Sequence, residues 1–187
     1  MRPILVVLLT LAPLSAQVAR PVSATARLGG TVQPAQPRVS LISLSGLARS
    51  FDSEFRTFAP NDPIDLLGNT RGIYLDGFGA VFTTEVSPIL TPNLSPFRPK
   101  ISDQERAQVR QRKLARLPGV ETLMSSMLQS AAKELTAVPD DQQIVVAVKF
   151  LYLPYEDTSG LPGQMVMRAA RGAILSGAQI EAIVSNQ

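Results

Sequence analysis

Gln143-Ile144-Val145-Val146-Ala147-Val148-Lys149-Phe150-Leu151-Tyr152-Leu153 is the stretch on which the fold turns. β-Branched and aromatic residues dominate it, and both alternating faces are mostly apolar. That pattern predicts a central strand covered on both sides. Pro154 to Gly163 follows, rich in Gly, Pro, Asp and Ser, and reads as a turn-rich loop. Met165 to Ala170 then reads as the core of a returning strand over 164–171. The short link between the two makes an antiparallel pair.

A second pair is predicted upstream. Residues 71–86 hold Ile73, Tyr74, Phe78, Val81 and Phe82 around Asp76-Gly77-Phe78-Gly79. Strands at 71–76 and 79–86 joined by an Asp-Gly turn fit this best. One long strand with a glycine bulge is the alternative.

Between the two pairs the period changes to that of a helix. Val120, Leu123, Met124, Met127, Leu128, Ala131 and Leu135 place a broad apolar stripe on a helix over 120–137. Residues 102–116 form a charged helix opened by a capping box, Ser102 with Glu105. Leu117-Pro118-Gly119 is read as the break between the two. Ahead of the first strand pair, Val39, Ile42, Leu47, Phe51, Phe55 and Phe58 mark an amphipathic helix over 39–58, ended by Pro60-Asn61-Asp62-Pro63. A short last helix is expected over 173–184. Adjacent strand pairs favour hairpins over crossovers. The fold class is therefore α+β, an antiparallel sheet of about four strands packed by helices 39–58, 102–116 and 120–137.

The ends and the linkers read differently. Arg2, the apolar run Ile4 to Ala12 and the small residues Ser15 and Ala16 describe a secretory signal peptide over 1–16, cleaved after Ala16. The run is too short for a membrane span. Residues 17–38, with Pro21, Gly29-Gly30, Pro34 and Pro37, read as a flexible linker, and 39–187 as one domain. Pro88, Pro92, Pro96 and Pro99 make 87–100 an extended connection. The absence of cysteine in an exported chain points to a bacterial periplasmic or secreted protein.

Composition removes several chemistries. There is no His and no Cys, so no Ser-His-Asp triad, thiolate nucleophile, imidazole metal site or zinc ribbon is available. No metal site and no cofactor are expected. Ser130-Ala131-Ala132-Lys133 has the S-x-x-K form, but no S-D-N or K-T-G element accompanies it. Gly77-Phe78-Gly79 lacks the third glycine of a dinucleotide loop, since Phe82 stands there. Asp76, Glu85, Asp140, Asp141, Glu156 and Asp157 are the carboxylates open to a glycosidase-like pair, and they sit mostly in turn contexts.

Charge is concentrated. The chain carries +3, or about +2 without Arg2, yet Arg98, Lys100, Arg106, Arg110, Arg112, Lys113 and Arg116 face only Asp103 and Glu105 over 98–116. On a helix, Arg106, Arg110 and Lys113 share a face, and Arg112 and Arg116 form a second. The expectation is an exported, non-enzymatic module that binds an anionic protein, lipid surface or envelope polymer through Arg106, Arg110, Arg112, Lys113 and Arg116. Nucleic acid is not expected, because aromatic interleaving is absent. A hydrolase using carboxylates or a Ser-Lys pair is one alternative. A structural protein that self-associates through the strand edge at 71–86 into a homo-oligomer is the other.

Overall fold

The computed structural model describes residues 39–91 and 100–186. All belong to the unit Gln36–Gln187. The signal peptide, the linker at 17–38, Pro92, Pro96, Pro99 and Arg98 lie outside the described residues.

The chain opens with α1 (Leu41–Thr57), whose first N–H groups are capped by the Ser40 hydroxyl on Ile42 N. A two-residue strand β1 (Asp65–Leu66) follows, then the hairpin β2 (Arg71–Leu75) and β3 (Gly79–Ser87). Next come α2 (Asp103–Glu134), β4 (Gln143–Phe150), β5 (Pro162–Ala170), the short α3 (Arg171–Leu175) and β6 (Ile183–Asn186). The sheet order is β1-β3-β4-β5-β6, with β2 also paired to β3. The α+β expectation holds, as do the two hairpins.

Several details are corrected. The sheet is mixed rather than antiparallel throughout, because β3 and β4 run parallel, from Gly79 opposite Gln143 to Val86 opposite Phe150. The helices expected at 102–116 and 120–137 are one helix of 32 residues that runs through Pro118. These two corrections share a cause. A helix hairpin returns the chain to the end where it began, whereas one helix delivers it to the other end and leaves the next strand parallel. Pro118 costs the helix its bond to the Leu114 carbonyl. Packing on either side holds it straight through: Val109 and Lys113 are buried before it, Val120 and Leu123 after it. Gly119 lets the Phe58 ring close in, since a Cβ there would stand 2.5 Å from that ring. The last helix expected over 173–184 is instead α3, a turn at Gly177 with φ +79°, and β6.

Asp76-Gly77-Phe78 closes the first hairpin, with Gly77 at φ +73°. Gly79 is required more strictly. Its φ is +134°, and a Cβ would fall 1.9 Å from the Gln143 carbonyl oxygen where β3 begins to pair with β4.

Both long helices cover one face of the sheet. Leu44, Leu47, Phe51 and Phe55 from α1 and Val120, Met124, Met127 and Leu128 from α2 pack on Phe82, Ile144, Val146, Val148, Met165 and Met167. Phe51 meets Phe82 edge to face, with ring centroids 5.0 Å apart. β4 is central, as expected, but no described helix covers its other face. Val145 is buried there, while Lys149 is exposed. Ile42, expected in the apolar stripe, stands exposed at the helix start, beside the equally exposed Leu41.

A candidate anion groove between α1 and β2

The basic segment is the place to begin. The first third of α2 packs on two loops, 58–65 and 151–161, and its cations hold them. Lys113 has no exposed side chain, and its Nζ lies 2.5 Å from Oε2 of the equally buried Glu156. The Tyr152 ring stacks under the ammonium at 4.9 Å. Arg112 and Arg116 share the Asp62 carboxylate at 2.7 and 2.8 Å. Arg116 also donates to the Asp62 carbonyl and stands over the Phe58 ring. Arg110 donates to the Ser159 carbonyl at 2.8 Å and lies 3.7 Å from Asp157. Arg106 pairs with Asp103, both of them largely exposed.

Each of the five cations is thus engaged within the chain, and Lys113 has no surface to offer. Burial drives the Lys113 ammonium below its ordinary pKa, against the opposing pull of Glu156. Burial, with Glu156 adding to it, pushes the Tyr152 phenol above its ordinary value. Hydrogen bonds from Ser159 hold the Asp157 carboxyl below the usual range.

The other candidate residues stay apart. Glu85 pairs with Lys149 across β3 and β4, and Asp140 pairs with Arg171. Asp76 and Asp141 are exposed in turns. No hydrogen bond joins Ser130 to Lys133, which lie on the wet flank of α2. Among the described residues, no three acidic side chains gather as a metal-binding group would.

A different set converges. Arg49, Asp52 and Arg56 follow each other at three and four residues on α1, so they share one face. The entry to β2 lies against that face. Together they frame an open groove of about 750 Å³, whose lining includes Ser45, Arg49, Asp52, Arg56, Asn69, Thr70 and Arg71. Asp52 is 5% exposed, and its Oδ1 accepts the Thr70 backbone N–H at 2.8 Å. That bond ties the helix to the entry of the strand. Arg49 donates only to the Ser45 carbonyl, at 3.2 Å. Among the described residues, the side chains of Arg56 and Arg71 make no hydrogen bond or ion pair, and none of the three arginines is ion-paired. The Thr70 hydroxyl is buried without a partner.

Sequence reasoning missed this set because its members are separated and the local pattern is ordinary. Arg-x-x-Asp-x-x-x-Arg on a helix reads as an internal ion-pair ladder. Only Thr70, brought in from the strand, shows that Asp52 is occupied elsewhere. In comparisons with known proteins, no family model, curated protein or solved structure matches this chain.

Proposed function

We propose that this chain is an exported, non-enzymatic α+β module that binds an anionic partner of the bacterial envelope through the groove between α1 and β2. The observation that carries the reading is the convergence of Arg49, Arg56 and Arg71, none of which forms an ion pair among the described residues, on a groove whose one acid is Asp52. Unpaired guanidinium groups in a concave site are the donors of choice for phosphate and carboxylate. The basic segment supports this by contrast: its charges are used to hold loops. Export rests on the leader at residues 1–16. A mature N-terminus at Gln17, read by mass spectrometry of the secreted or periplasmic protein, tests it.

The binding test is retention on a sulfated-polymer matrix in a salt gradient. The wild-type chain binds at low salt and elutes as salt rises. Reversal of Arg49, Arg56 and Arg71 to Glu abolishes retention and leaves the circular dichroism spectrum intact. Lys100→Glu, an exposed change at the edge of the basic segment, shifts elution only slightly. Equal retention of the triple reversal and the wild type would refute the groove.

A further inference from the structure

Taking this groove as an anion site, on which the inference rests, we propose that its ligand is an anionic sugar: a phosphate or carboxylate on a ring that also carries a hydroxyl. Three arginines alone suit any anion. Asp52 narrows the choice. One of its carboxylate oxygens is taken by Thr70 N–H, and the second keeps lone pairs at the wall of the groove. A bare anion seated among the arginines meets that charge and is repelled. A ligand with a donor beside its anion converts the repulsion into a charge-assisted hydrogen bond. An ammonium donor is opposed by Arg49, Arg56 and Arg71, which leaves a hydroxyl. The exposed Asn69 side chain adds a neutral donor and acceptor on the same wall. The volume, about 750 Å³, falls among small-molecule sites and accommodates a sugar ring with its charged group.

Calorimetric titration of the full chain tests this with glucose 6-phosphate, galacturonate, inorganic phosphate and glucose at low salt. Asp52→Asn is the decisive variant, because the amide oxygen still accepts Thr70 N–H while the charge is gone. The wild type binds glucose 6-phosphate or galacturonate at least tenfold more tightly than inorganic phosphate. D52N weakens the sugar acid at least threefold and tightens inorganic phosphate. Asn69→Ala, at an exposed position that folding tolerates, lowers sugar-acid affinity and leaves phosphate unchanged, and serves if D52N does not fold.

Equal binding of all anions by the wild type overturns the sugar, as does tightening of both ligand kinds by D52N. In either case the anion site stands. If no anion binds and R56E leaves the heats unchanged, the anion reading itself fails. Polygalacturonate distinguishes the sources: tighter binding per unit than galacturonate assigns a polymer, and equal binding assigns the free sugar.

Discussion

Lys113 carries a charge into a place without water. Its hydration is replaced by one carboxylate oxygen of Glu156 and the face of Tyr152, while the other oxygen of Glu156 is buried with no partner. A buried pair of this kind adds little net stability, but removing one member strands the other. Lys113→Met therefore costs about 3–5 kcal/mol in urea unfolding at pH 7, and the double change with Glu156→Leu recovers most of it. A double variant as unstable as the single one would show that the loop is held by something else. Tyr152 supplies the pH dependence. Its hydroxyl donates to the Pro162 carbonyl at 2.7 Å, and its pKa is raised in the fold. Such a group stabilises fully below its unfolded value, near 10, and loses that contribution as pH rises toward the folded value. Tyr152→Phe thus costs about 1 kcal/mol at pH 8, and the gap to wild type narrows above pH 10. Lys113 acts in the opposite sense just below its ordinary value of 10.5, because the unfolded chain holds a proton that the folded chain has lost. That contribution is present in both proteins and largely cancels in the comparison. Unfolding curves from pH 8 to 11 check the narrowing.

At the scale of elements, α2 is decisive. Its 32 residues make a rod of about 48 Å, longer than the strands it covers. The C-terminal part supplies the apolar stripe that the 3.6-residue period announces. The N-terminal part meets loops, and its lone buried apolar residue before Leu114 is Val109. The capping box at Ser102 and Glu105 is legible in the sequence and present in the fold. The continuity through Pro118 is not legible, because local propensity sets a cost of about 3 kcal/mol that only tertiary packing offsets. Pro118→Ala restores the N–H to the Leu114 carbonyl and raises stability by about 1–3 kcal/mol, less what the unfolded chain gains in freedom. Urea unfolding measures it, and a loss of stability would mean that the proline ring is itself part of the packing.

At the scale of the whole molecule, the parallel pair β3–β4 is the centre. β4 lies between β3 and β5, and its Ile144, Val146, Val148 and Phe150 are buried under the helices. The sheet thins toward β6, where Ile183 and Val184 are about half exposed. Opening should follow that gradient. In native-state hydrogen exchange, the amides of β3 and β4 exchange last and at the global unfolding energy, and those of α3 and β6 exchange first. The charge distribution also changes at this scale. Five cations of the basic segment, Arg106, Arg110, Arg112, Lys113 and Arg116, become pairs within the chain, while Arg49, Arg56 and Arg71, scattered in sequence, converge without an ion pair among the described residues.

The sequence by itself determined what short-range physics controls: the apolar period of α1 and α2, the Ser102 cap, the Asp76-Gly77 turn, the two strand pairs, and the chemistries excluded by the lack of His and Cys. Only the tertiary structure decided the direction of β4, the continuity of α2 and the partner of each charge. Strand direction depends on how many helices intervene, and a proline's cost is weighed against packing from residues far along the chain. An ion pair forms where folding brings opposite charges together, so the density of lysine and arginine in a segment does not say which of them will face the solvent.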